Sequence, residues 1–293
     1  MRPGDGAIVA VHGGGDALKQ FSNNADTAGV PAGSVFKPFV LAAAMQYGVR
    51  TDNGKVLRFL PESYYDADGD FRMSGVPDSP GAVGGAPVPL PVPSADFPTL
   101  RQAVVSSGTV TFRRLGEDAG MKRVRELAVD AGMLRETMAP LNEEFPLGTS
   151  SPSAIRVATA YATFADGGTR YEPYSVTKVL RGGERLPGLS RPHGSRAMAE
   201  FVATQMTSVL RNAAVATTGP GGRFAGMSTG DRETQRVAWF AGYGDDLATA
   251  VTLFRAEPGK ALLPLTGTGG KGPASAQRLP GRIWTTYMKG MAR

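Results

Sequence analysis

The stretch Pro31-Ala-Gly-Ser-Val-Phe-Lys-Pro-Phe-Val-Leu-Ala-Ala-Ala44 decides how the rest of this 293-residue chain is read. A short loop, Pro31 to Gly33, leads into Ser34, and Lys37 follows three residues later. From Phe39 to Met45 the run is apolar without interruption, which predicts a helix buried on most sides. Pro38 marks where that helix starts. Proline is tolerated in a first helical turn, where its missing N–H has no partner to lose, and it breaks helix interiors. Ser34 and Lys37 therefore fall at or just before the N-terminus of a buried helix, and their i, i+3 spacing puts both side chains on one face.

Such a pair has a specific chemistry. A serine hydroxyl is a poor nucleophile until a base takes its proton. A lysine serves as that base when burial or a nearby cation disfavours its charged form, and helix N–H groups stabilise negative charge developing beside them. The plainer reading makes Ser34 a helix cap and Lys37 a side chain that snorkels to solvent.

Composition narrows the field. The chain is long enough for one large domain with a sizeable core. Its 39 glycines and 22 prolines point to many turns and argue against a helical bundle. With no cysteine, disulfides, thiolate metal sites and cysteine nucleophiles are excluded. The two histidines, His12 and His193, are too few for a histidine-based metal site or triad. No metal or other cofactor is expected. A net charge of +6 suits anionic surroundings, but without a Lys/Arg block or aromatic–basic ladder no nucleic-acid partner is expected. No apolar run approaches the ~18 residues of a membrane span, and the first residues read as a strand, so no signal peptide is expected.

In chain order, Gly6 to His12 predicts a short buried strand ending at Gly13-Gly-Gly15. Those glycines lack the lysine of a phosphate-binding loop and the spacing of a dinucleotide fingerprint. From Arg50 to Pro98 the chain reads as irregular. Asp66, Asp68 and Asp70 alternate as in a calcium loop, but glycine stands at the fourth loop position and no glutamate at the twelfth. Gly75 to Pro93 reads as a loop or wall. Thr99 to Gly132 is helical in pattern, with a small-residue break at Val105–Val110, and Ser153 to Ala165 predicts a further helix stopped by Asp166-Gly-Gly168. Arg170 to Leu180 reads as a strand pair, and Arg196 to Arg211 as an amphipathic helix. Residues 224–230, 237–243 and 247–254 then predict three antiparallel strands, and Ser275 to Met291 a closing helix. The whole reads as a single domain, 1–293, of the α/β class (α+β type). An antiparallel sheet over about 1–33 and 166–293 is completed by both chain ends and flanked by helices, with a helical lobe, about 34–165, inserted.

With these segments in view, the chain resembles the transpeptidase domain of class A penicillin-binding proteins, serine acyltransferases that cross-link peptidoglycan. The signature of this superfamily is S-x-x-K, an S-D-N-type triplet and K-T-G. The first element is intact as Gly33-Ser-Val-Phe-Lys-Pro-Phe39. Gly6–Gly14 is similar to the family's opening strand, Gly148–Gly168 to its helix with Tyr-Ala-Thr-Phe-Ala, and Ala238–Val251 to its Ala-Trp-Phe strand. The resemblance runs from about residue 4 to 291. It implies an acyl-Ser34 intermediate with Lys37 and Ser107 as catalytic partners. It also implies Thr109, Ser228, Thr229 and Gly230 along the substrate, a peptidoglycan stem peptide as partner, and a covalent adduct with β-lactams.

Two motifs depart from the family's pattern. Leu100-Arg-Gln-Ala103 leads to Ser107-Gly-Thr109, which keeps the proton-relaying serine but has threonine where an asparagine would hold a substrate amide. Ser228-Thr-Gly230 stands where the family has Lys-Thr/Ser-Gly, so the cation for a substrate carboxylate is gone. Arg223, Arg232 and Arg236, which flank this strand, are the candidates to restore it. Three readings follow: an acyltransferase or carboxypeptidase with altered recognition, a non-catalytic binding or scaffolding relative, and an acyltransferase or hydrolase moved to specialised metabolism or β-lactam resistance. Class A proteins normally carry a membrane anchor and a glycosyltransferase domain ahead of this region. An excised domain is expected to work outside the cytoplasmic membrane, and a free-standing relative in the cytoplasm.

Overall fold

The computed structural model describes residues 1–14, 23–27, 29–50, 56–63, 98–187, 191–220, 223–230, 236–256, 261–268 and 275–291. The aspartate cluster at 66–70, the Gly/Pro run at 75–93 and Arg232 lie outside them. The helices are α1 (Asn24–Thr27), α2 (Lys37–Tyr47), α3 (Leu100–Ser106), α4 (Thr109–Ala119), α5 (Met121–Asp130), α6 (Ala154–Ala165), α7 (Glu200–Thr218) and α8 (Ser275–Met291). Two-residue ladders pair β1 (Val49–Arg50) with β2 (Val56–Leu57), β3 (Thr169–Arg170) with β6 (Ser195–Arg196), and β4 (Leu180–Arg181) with β5 (Glu184–Arg185). The main sheet is the antiparallel meander β7 (Ala225–Gly230), β8 (Val237–Tyr243) and β9 (Ala248–Phe254). Among the described residues no helix is long and apolar enough to cross a membrane.

The sheet owes its place to β8, which is buried at every residue. Side chains alternate across a strand, so Trp239 and Ala241 face one layer while Phe240 faces the other. On the Phe240 side, α8 packs Trp284 at 4.8 Å between ring centroids and donates its indole N–H to Thr249 O at 2.9 Å. On the Trp239 side lie α6 and α7, with α2 behind them. The mixed helix and antiparallel-sheet architecture is the one the pattern predicts.

The helix α2 is the centre of the second layer. Lys37 to Met45 are all buried and Pro38 sits in the first turn, as expected for a helix apolar on every side. Gly48, at φ 70°, ends it. Phe39 stacks on Phe164 at 5.0 Å and meets the edge of Tyr161 at 6.0 Å, which ties α2 to α6. Both α3 and α6 start on side-chain caps, from Thr99 and Ser153 respectively.

Some segments differ from the sequence pattern. Gly6 to His12 forms no strand of the sheet. It makes one parallel bridge, Ala7 to Tyr174, and leaves Val9 and Val11 exposed. The N-terminal contribution to the sheet is Met1, which exchanges both backbone hydrogen bonds with Ala248 on β9. The strand pair at 170–180 is replaced by β3, which pairs with the distant β6, and by the β4–β5 ladder. Pro173 lacks a donor, and residues 175–187 are exposed throughout, so no apolar face holds a longer ladder. Finally, α7 starts at Glu200 and runs on to Thr218.

The loop ahead of α2 is fixed from three sides. Ala32 N–H donates to Ser150 O at 2.9 Å, Gly33 N–H to Gly148 O at 2.8 Å, and the Trp239 indole to Pro31 O at 3.0 Å. Tyr161 donates its hydroxyl to Val35 O at 3.0 Å, and burial pushes its phenol well above the ordinary value, so it stays a neutral donor. The approach is close enough that Gly148, at φ +91°, has no room for a β-carbon. That atom would overlap the Gly33 carbonyl.

Two substitutions test this scaffold by urea denaturation. Phe39→Ala removes a fully buried ring and is expected to lower the unfolding free energy by about 3–5 kcal/mol. Gly148→Ala is expected to cost about 3 kcal/mol, from strain and overlap on the Gly33 backbone. A loss under about 1 kcal/mol at Gly148 means that the two loops do not meet as described.

Candidate active site

Ser34 and Lys37 stand where a 3-10 segment, Gly33–Phe36, runs without a break into α2. The backbone N–H of Lys37 bonds to Ser34 O, which ties the two residues into one helical turn. Lys37 is only 3% exposed, and its Nζ donates to Ser107 O at 2.8 Å and lies 5.7 Å from the centre of the Phe112 ring.

Ser107 reaches the lysine through its carbonyl because of an unusual backbone. It is the C-cap of α3 and adopts the left-handed conformation, at φ 57° and ψ 40°. Among the described residues it is the one non-glycine with positive φ. That conformation costs a β-carbon-bearing residue about 1–2 kcal/mol, and it is the kind of local strain that gathers at functional sites. Gly108 then lets α4 begin at Thr109, so the two residues of this motif sit on consecutive helices.

The sheet supplies the facing wall. Thr229 on β7 pairs with Trp239 on β8, and its Oγ1 accepts the backbone N–H of Ser34 at 2.9 Å. A β-carbon on Gly33, which has φ +55°, would lie 2.7 Å from that hydroxyl, so glycine at 33 is what brings Ser34 against the strand. Strand alternation turns Ser228, which pairs with Phe240, away from Thr229 and leaves it exposed. Gly230 ends the strand opposite Ala238.

Ser34, Lys37, Thr109 and Thr229 line one cavity of about 480 Å³. Ser107 joins them through the lysine bond, whereas Ser228 is not in the lining. The cavity also takes in Leu147, Gly148, Thr149, Leu262 and Arg236. Of the two candidate arginines among the described residues, Arg236 is in the lining, whereas Arg223 is exposed and outside it. Sequence reasoning missed Thr149 and Leu262. The signal for the first was the Gly148-Thr-Ser150 turn ahead of the Ser153 cap, and for Leu262 there was none. Among the described residues no carboxylate lines the cavity, so the arrangement favours an electron-rich or anionic ligand beside the Ser34 hydroxyl. A second cavity, of about 550 Å³, runs along β9 between residues 8–14 and α8. It is larger but mostly apolar and contains none of the predicted site residues, so the candidate chemistry is placed in the Ser34 cavity.

No family model matches the chain. By sequence it is 26% identical over 294 residues to penicillin-binding protein 1A of Neisseria lactamica, across 97% of this chain and 34% of that protein. It is 29% identical over 314 residues to penicillin-binding protein 1A of Mycolicibacterium smegmatis, across 98% of this chain and 36% of that protein. The chain thus spans about a third of the length of these relatives. Its fold matches the penicillin-binding protein PonA1 from Mycobacterium tuberculosis with a TM-score of 0.72 at 24% identity, over 100% of this chain and 76% of that one. The PonA1 structure in complex with penicillin V matches with a TM-score of 0.69 at 25% identity. Over nearly its whole length the chain is thus similar in sequence to penicillin-binding proteins 1A, and it shares the fold of solved penicillin-binding proteins.

Proposed function

We propose that this chain is a serine acyltransferase of the penicillin-binding type, acting on peptidoglycan stem peptides through an acyl-Ser34 intermediate. The observation that carries the reading is the placing of Ser34 and the buried Lys37 on one helical turn, opening into a cavity walled by Thr109 and Thr229. In the step proposed, neutral Lys37 takes the Ser34 hydroxyl proton as Oγ bonds to the substrate carbonyl carbon. The C–N bond then breaks, and the proton passes through the Ser107 hydroxyl to the departing amine. A β-lactam follows the same course, with its ring amide as the bond that opens. Penicillin V bound to PonA1 supports this reading by analogy.

In this scheme Thr109 and Thr229 contact the substrate from opposite walls, and Ser228 and Gly230 belong to the β7 edge along which it lies. A binding-only role is the competing reading. It is favoured by the Ser34 N–H, which already donates to Thr229, and by the threonine and serine that stand where the family's pattern has asparagine and lysine.

Intact mass after incubation with benzylpenicillin separates the two. A covalent adduct is expected on the unaltered protein, mapping to a peptide that contains Ser34, and it is expected to vanish in Ser34→Ala. No adduct at any concentration supports the binding-only role. Lys37→Met, which keeps most of the side-chain volume in its buried slot, is expected to slow acylation about 10²–10⁴-fold in a quenched time course. An unchanged rate removes Lys37 from the base role.

A further inference from the structure

We propose that Arg236 is the anion-recognition residue of the Ser34 cavity, and that it selects a peptide ending in a free α-carboxylate. This rests on the acyl-transfer reading for the identity of the ligand. The assignment of the residue rests on the cavity itself.

Arg236 immediately precedes β8, and the register of the sheet pairs Gly230 with Ala238. The arginine therefore lies at the end of the sheet where β7 stops, next to the strand that carries Thr229. It shares the cavity lining with Ser34, Lys37, Thr109 and Thr149. Among the described residues Lys37 is the other cation there, but it is buried and its Nζ donates to Ser107 O. Arg236 is exposed, and among the described residues it makes no hydrogen bond or ion pair. A guanidinium offers a planar fork that matches a carboxylate bidentately. Among the described residues no acidic side chain lines the cavity, so none of them competes with a bound anion. The threonine hydroxyls supply neutral donors for the rest of the group.

Ser228 bears on the same point. The residue where a lysine stands in the family's pattern is an exposed serine outside the cavity lining. Arg236 brings the positive charge to the cavity from the neighbouring strand. The charge arrives from a different backbone position, so the ligand's carboxylate sits toward the β8 side of the cleft.

Calorimetric titration of the Ser34→Ala protein, which cannot turn over, tests the assignment with two probes: N-acetyl-D-alanyl-D-alanine and its C-terminal amide. The free acid is expected to bind about ten- to a hundredfold more tightly than the amide, the range of one charge–charge contact near a protein surface. Adding Arg236→Ala should bring the acid down to the affinity of the amide, and Arg236→Lys should keep part of the difference. Raising the salt from about 0.05 to 1 M should narrow the gap. Since Arg236 is exposed and leaves no described partner stranded, its removal should not disturb folding, which circular dichroism checks. Equal binding of acid and amide, an acid preference that survives Arg236→Ala, or no binding of either probe each overturns the proposal. Benzylpenicillin acylation of the unaltered protein is measured alongside. Absent acylation with an intact, Arg236-dependent acid preference refutes the acyl-transfer reading and leaves the arginine's role standing.

Discussion

Backbone meets backbone at Gly33 and Gly148 with no space for a side chain between them, and the rest of the site is arranged around that contact. The Gly33 N–H is satisfied by the Gly148 carbonyl, and the neighbouring Ala32 and Pro31 bond to Ser150 and Trp239. A loop that would otherwise hold several soft dihedrals is thereby reduced to one conformation. The turn that follows inherits its position, so Ser34 is presented to β7 at a fixed height above α2.

Two further bonds tie this turn to opposite halves of the molecule. Thr229 reaches it from the sheet through the Ser34 N–H, and Ser107 reaches it from the helical side through Lys37 Nζ. Neither bond needs a carboxylate, and among the described residues the cavity has none. Among the described residues the polar character of the site is therefore set by hydroxyls, backbone groups and two cations of different accessibility. Buried Lys37 is held in place, whereas Arg236 is exposed.

Most of the fold was legible where one period dominated. The apolar run after Lys37, the Ser153 cap and the three alternating strands from 225 to 254 all formed close to the expected bounds. Reading failed where a segment had the residues of a strand but no neighbour to pair with. Gly6 to His12 is β-branched enough, yet its one bridge goes to Tyr174, a choice made by tertiary geometry that composition does not carry. The site was legible to the same extent. Ser34 and Lys37 lie on one helical turn, so spacing alone brings them together. The contributions of Ser107 through its carbonyl, and of Arg236 from across the sheet, depend on backbone conformation and on register. Both residues could be named as candidates from the sequence, but neither placement can be read from local sequence.

The cleft has a floor and a rim with very different tolerance for change. The floor is made of Gly33, Gly148, Lys37 and the aromatic cluster beneath them, where almost any replacement collides with backbone or opens a void. The rim is made of Thr109, Thr149 and Arg236, exposed side chains at the ends of elements, anchored to nothing in the core. Sequence drift can therefore run freely around the mouth while Ser34 stays put. A lineage with this architecture would be expected to change which ligands it accepts long before it loses the ability to hold its serine in position.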